Sequence, residues 1–377
     1  MRLRTLGIFS ALAAVAMAAG AREPETGTIE DRDRFLAVMA ERFAGWDADG
    51  DGVLVVSELN AKVADPQVRG DEAAAIATLK RATRFKVELP PLTREAAGAL
   101  ARRAPESSWP NLGAMFAGSQ RRIVQANRLL FASGLPRLET VRQGRMGNCF
   151  SLAPLGALAY HRPDFVAKEM IQELPDGRYQ VRLGKETVCV TAPTDAELAL
   201  SAGNGSDGIW VNVYEKAAGE ARNAGRPPEK REATGLDALS RGGSAGTQLA
   251  FITGHDMFRL SCKFAKQADL PPEDHEAEVR KIREALAAAT REQRMMTTGT
   301  LKTRIPGITP NHAYAVLCYK EEGDLIQIWN PHGGTRQPTG EPGHEHGYPT
   351  QNGIFEMPLT VFVEEFAGLA FEVLPKN

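Results

Sequence analysis

Cysteine is scarce in this chain: four residues in 377, Cys149, Cys189, Cys262 and Cys318. Spaced so widely in a chain long enough to bury a large core, they do not read as the dense disulfide framework on which small secreted domains depend. If one of them must stay a free thiol, at most one internal bridge forms among the others, and buried inert thiols are the plainer reading for all three. Charge of one sign is not in excess either, with 45 basic against 47 acidic residues, which removes the electrostatic footprint of a nucleic-acid partner. Only one long apolar run exists, residues 5–19, and it is shorter than the roughly 20 residues needed to span a bilayer. What remains is a globular chain, 43% hydrophobic, of a length that favours two domains. Nothing in the sequence signals an oligomeric state.

The amino terminus is organised differently. Met1-Arg2-Leu3-Arg4 is basic, the apolar run follows, and Ala19-Gly20-Ala21 supplies small residues ahead of Arg22. That order is a signal peptide over residues 1–21, and it predicts an exported chain, secreted or periplasmic, with no stable membrane insertion after cleavage.

Residues 47–58 read DADGDGVLVVSE. Calcium takes about six to eight oxygens, and an EF-hand loop supplies them at fixed offsets. Asp47, Asp49 and Asp51 fall on the first, third and fifth positions, the Val53 carbonyl on the seventh and Glu58 on the twelfth, with Gly52 where the chain must turn. Leu54 is placed to enter a short strand between paired loops, and helix-like segments flank the loop on both sides. The stretch FKVELPPLTREAAGAL offers Leu92 as the facing strand residue but lacks the carboxylates, so it reads as a metal-free partner hand. Residues 22–105 therefore predict a small all-α EF-hand-like domain that binds Ca2+. The Pro, Ser and Gly of ARRAPESSWPNLG predict a linker, continuing as a lead-in over 106–137.

Further on, QGRMGNCF spans residues 143–150 and runs into the apolar SLAPLGALAY. Gly144 and Gly147 make a flexible turn, Asn148 is a suitable N-cap, and a helix from Phe150 to about Tyr160 follows. A helix N-terminus favours the thiolate of Cys149, and its free N–H groups, with the Gln143 amide, suit a developing oxyanion. Near the carboxyl end, NHAYAVLCYKEEGDLIQIWNPHG predicts a hairpin closed by Glu321-Glu322-Gly323-Asp324, with His312 opening its first strand and Asn330 closing its second. Such a hairpin sets the two side by side, His312 as a base for the thiol and Asn330 holding its ring. Cys, His, Asn is the papain-like order.

These segments resemble the calpain family. QGRMGNCF is similar to its Gln-Gly-x-x-Gly-(Asp/Asn)-Cys-Trp signature, and NHAYAV and IQIWNPHG to its His-Ala-Tyr-Ser-Val and Arg-Asn-Pro-Trp-Gly segments. IWVNVYEKAAGE, LDALSRGGSAGTQLAFITG and GIFEMPLTVFVEEFAGLAFEV follow in the family's order. The resemblance covers about residues 138–377 and implies an α+β fold: a papain-like core with one helical and one β-rich lobe, behind the EF-hand domain. It implies Cys149 as nucleophile, His312 as base, Asn330 as orienting residue, Gln143 as oxyanion donor, and a peptide or protein as substrate.

The departures from the family pattern are specific. Phe150 replaces the Trp after the nucleophile, His332 replaces the Trp that shields the His–Asn pair, Asn311 replaces a Gly, and Pro154 falls early in the nucleophile helix, where it removes a backbone hydrogen bond. The stretch HGGTRQPTGEPGHEHGY places His344 and His346 near Glu345, but its glycines and prolines read as a surface loop rather than a metal site. The expectation is an exported calcium-binding cysteine endopeptidase. The alternative left open by the aromatic replacements is a non-catalytic peptide- or partner-binding module.

Overall fold

The computed structural model describes residues 26–85, 87–104, 109–203 and 205–375; the expected signal peptide lies outside them. No helix of the described residues is long and apolar enough to cross a membrane.

The chain begins with a helical domain. Helix α1 (Ile29–Trp46) starts at a capping box in which Thr28 and Asp31 bond reciprocally, and it buries Phe35, Met39, Phe43 and Trp46 at near-helical spacing. Helices α2 (Val56–Ala64), α3 (Gly70–Ala82) and α4 (Arg94–Ala101) follow. They form two helix–loop–helix units, α1–α2 and α3–α4, whose loops are joined by one backbone hydrogen bond from Leu54 N–H to the Leu92 carbonyl, 3.1 Å. Residues expected as linker and lead-in carry a fifth helix instead, α5 (Leu112–Gln125), capped by Asn111. Its Leu112, Met115, Phe116 and Ile123 recur at helical spacing and fill the core of the same domain.

A helical lobe comes next. It contains α6 (Cys149–His161), the single turn α7 (Pro163–Phe165), the small sheet β1 (Ile171–Glu173), β2 (Tyr179–Leu183) and β3 (Glu186–Val190), and helices α8 (Asp195–Leu200), α9 (Trp210–Ala224), α10 (Gly235–Leu239) and α11 (Ala245–Thr253). Helix α6 is apolar on every side and buried from Phe150 to Ala159, the pattern of a helix enclosed by its own protein.

The second lobe is built on a sheet. Strands β4 (Met257–Ser261), β5 (Met296–Thr300), β6 (Ala313–Lys320), β7 (Leu325–Trp329), β8 (Thr350–Gln351), β9 (Ile354–Pro358) and β10 (Phe366–Glu372) pair antiparallel in the order β4-β10-β5-β6-β7-β9-β8. Helices α12 (Pro272–Arg291) and α13 (Leu359–Glu365) accompany it. Alternation along β6 divides two cores: Ala313, Ala315 and Leu317 pack with α6 residues, whereas Tyr314, Val316 and Tyr319 pack with α12 and α13 residues. The sheet is thus covered on both faces, which is why β6 reads as a continuous apolar run rather than an alternating one. The architecture is α+β.

Candidate active site

The nucleophile candidate, Cys149, is the first residue of α6 and is partly buried. Asn148 occupies the N-cap position, but its side chain does not cap the helix. It turns inward, fully buried, and its amide donates to Glu215 Oε1 on α9. The reason is chemical: a buried carboxyl in this interior needs donors, and Glu215 takes one from Asn148 and a second from Ala202 N–H at 2.7 Å. Burial pushes the Glu215 carboxyl up to about 7. Sequence reasoning missed this residue, although it lies inside the VYEKAAGE segment.

Across the lobe boundary, His312 immediately precedes β6 and Asn330 immediately follows β7. The strands pair as a hairpin whose turn places Gly323 and Asp324 at positive φ. His312 Nε2 and Asn330 Oδ1 lie 2.8 Å apart, both residues buried, so Nδ1 is the ring nitrogen that can serve a thiol. The same Asn330 oxygen accepts the His332 backbone N–H at 3.0 Å. His332, where the family has Trp, stacks on the His312 ring with centroids 4.1 Å apart and planes at 29°. Asn311 takes a left-handed φ of 48°, a conformation that Asn accepts more readily than other non-glycine residues.

The two halves meet. Cys149 and Ala313, the neighbour of His312, pack into one apolar cluster, and Gln143 N–H donates to the Pro331 carbonyl at 2.8 Å. Gln143 is buried, its side-chain amide donating to the Met146 carbonyl at 2.7 Å; an amide NH2 has a second hydrogen to give. Arg142 spans the same gap, donating to Asn352 Oδ1 at 2.8 Å. Phe150 is buried beneath the Arg222 guanidinium, 4.7 Å from its ring centre.

All four cysteines are free thiols. Burial pushes Cys262 up to about 12 and raises Cys318, so both favour the inert protonated form. Cys189 departs from the expectation of a buried thiol, because it lies on an exposed position of β3, an edge of the small sheet.

The other predicted set lies in the loop between α1 and α2. Asp47, Asp49 and Glu58 each present a carboxylate oxygen within 4.8 Å of one another. Asp47 Oδ2 accepts Gly52 N–H at 2.9 Å, while its buried Oδ1 has no hydrogen-bond partner. Glu58 accepts the N–H groups of Ala48 and Val55. Asp51 stands outside the cluster and accepts Val53 N–H at 2.7 Å. Three converging carboxylates are oxygen donors of the kind a hard divalent cation takes, though fewer than the six to eight oxygens of a calcium shell. The histidine-rich loop is arranged otherwise: His344 faces Glu364 and Glu365, and His346 stacks over Gly340.

The sequence profile of the calpain family cysteine proteases matches residues 119–343, more than half the chain. The match begins inside α5, ahead of the residue 138 at which the resemblance was expected to start, and includes Gln143, Cys149, His312, Asn330 and His332. No curated protein matches the chain. Because that match covers more than half of the chain, the protein belongs to the calpain family of cysteine proteases.

Proposed function

We propose that the protein is an exported, calcium-binding endopeptidase that cuts internal peptide bonds through Cys149, His312 and Asn330, assisted by Gln143. The observation that carries this reading is the 2.8 Å His312–Asn330 hydrogen bond at the adjacent ends of β6 and β7, in the sheet that packs on α6. The Cys149 thiol passes its proton to His312 Nδ1, and the thiolate attacks the substrate carbonyl carbon. The Cys149 N–H and the Gln143 amide receive the resulting oxyanion. His312 hands the proton to the leaving amine as the C–N bond breaks, then takes one from the water that hydrolyses the thioester, restoring the thiol. Asn330 holds the imidazolium in place without touching the reacting atoms.

Calcium fits the Asp47, Asp49 and Glu58 cluster, with the Val53 carbonyl and Asp51 as further loop donors. Its contribution is charge neutralisation that fixes the α1–α2 loop, far in sequence from the chemistry.

Casein-like substrates test the protease reading. The mature, reduced protein should cleave them and react at Cys149 with a thiol-directed peptide probe. Cys149→Ala and His312→Ala should each lose nearly all activity, because nucleophile and base act as a unit, and Asn330→Ala should retain more. A protein that neither cleaves nor labels faster than a free peptide thiol would instead be a peptide-binding module. Export is decided by amino-terminal sequencing of the native protein: a start near Arg22 is expected, and an intact Met1 refutes it.

A further inference from the structure

A cavity of about 590 Å3 opens beside His312, walled by the start of α11 from the helical lobe and by β4, β5 and β10 from the sheet. Its floor is shaped by absent side chains. A Cβ on Gly246 would lie 2.6 Å from Arg259 Nη1 and from the Ala370 side chain, and one on Gly299 would crowd the His312 carbonyl at 3.3 Å. Strand register puts Arg259 opposite Ala370, and Ala370 opposite Thr297. The guanidinium therefore sits on the sheet face that looks into the cavity.

The chemistry of the lining is lopsided. No aspartate or glutamate lines it, and Arg259 is its one permanently charged side chain. Three of its hydroxyls already have partners: Thr298 donates to the Gly368 carbonyl, Thr300 to the Thr309 carbonyl, and Ser261 accepts Lys263 N–H. Arg259 differs. Its nearest hydrogen-bond partner is Thr247 Oγ1 at 3.5 Å, and among the described residues no carboxylate lies within ion-pair distance of it. Ala245 and Gly246 also face the cavity, and as first-turn residues of a helix their N–H groups have no intrahelical partner.

We propose that this cavity is a substrate subsite for an acidic side chain, aspartate or glutamate, read by Arg259. The inference rests on the protease reading, which makes His312 the neighbour of the scissile bond. A guanidinium presents a planar fork that matches a carboxylate.

Fluorogenic peptides varied through Glu, Gln, Leu and Lys at each of three positions on either side of the scissile bond test the idea. At one position Glu should exceed Gln in kcat/KM by about tenfold or more, the usual advantage of a hydrogen bond to a charged group. Arg259→Gln should erase that ratio, and Arg259→Glu should turn it toward Lys, a reversal that misfolding cannot imitate. Cys149-dependent cleavage with no acidic preference at any position overturns the inference and leaves the protease reading standing. If no peptide is cleaved, fluorescence anisotropy of the same peptides on Cys149→Ala decides the matter. Glu-selective binding abolished by Arg259→Gln supports the subsite, and indifference to charge refutes it.

Discussion

His332 lies flat against His312 with its Nδ1 3.5 Å from Thr309 Oγ1, so one imidazole covers another at a place where a larger indole would exclude more water. A drier His312–Asn330 hydrogen bond is a stronger one, and His332→Trp is expected to hold or raise kcat/KM on a peptide substrate. A fall of about tenfold or more would assign His332 a part of its own in the chemistry. Glu215 makes a second prediction. Its carboxyl is pushed from the ordinary 4.5 up to about 7 by burial, against the opposing pull of Ala202 N–H and the Asn148 amide. Between those values the native state binds a proton that the unfolded chain has released, so this group's contribution to stability falls as pH rises from about 4.5 to about 7 and is flat above. Urea unfolding at pH 5 and pH 7.5 should show that decline in the wild type and a smaller one in Glu215→Gln; equal declines would place the titration elsewhere. At this scale the sequence was partly legible. Cys149, His312 and Asn330 stand in local motifs, and the turn that brings the last two together is written beside them. Asn148 was misread as a cap because its partner, Glu215, lies 67 positions away, a contact no local pattern encodes.

Among the elements, the loop between α1 and α2 was legible in part: Asp47, Asp49 and Glu58 come together as the spacing set them, whereas Asp51 stands outside their cluster. The backbone link from Leu54 to Leu92 also falls where the pattern set it. Helix α5 was not: Pro110, Gly113 and Gly118 mimic a linker, and the helix is recognisable only once α1 and α3 supply a surface for its apolar stripe. The cavity beside His312 was illegible for a similar reason, being assembled from strands separated by more than a hundred residues. The loop carries its own prediction. Calcium at about 100 times its Kd should stabilise the fold by about 2.7 kcal/mol. Glu58→Gln should remove most of that gain, because it deletes charge from the residue that closes the loop. Calorimetry with and without a chelator measures both, and a wild type indifferent to calcium would refute the site.

At the scale of the molecule the helical domain is bonded into the protease rather than tethered to it. Lys80 and Arg84 of the α3 region both reach Asp237 on α10, at 3.0 and 2.7 Å. Burial lowers the Lys80 pKa, and Asp237 supplies the counter-charge. Asp237→Ala strands that ammonium in the interior and should cost about 3–5 kcal/mol, the usual price of halving a buried pair; a thermal or urea midpoint within error of wild type would show the pair to be dispensable. Nearby, Thr194 Oγ1 donates to the Val63 carbonyl at 2.6 Å, and Ala196, Ala199 and Leu200 of α8 complete the apolar core of α1 to α5. That shared core bears on the order in which the chain can fold. A ribosome delivers the five helices some seventy residues before the segment that closes them, and contacts of long sequence separation form late. The amino-terminal portion should therefore linger as a loosely packed, dye-binding intermediate during synthesis and set only when α8 arrives, so that helical domain and protease acquire their rigid packing in one cooperative event.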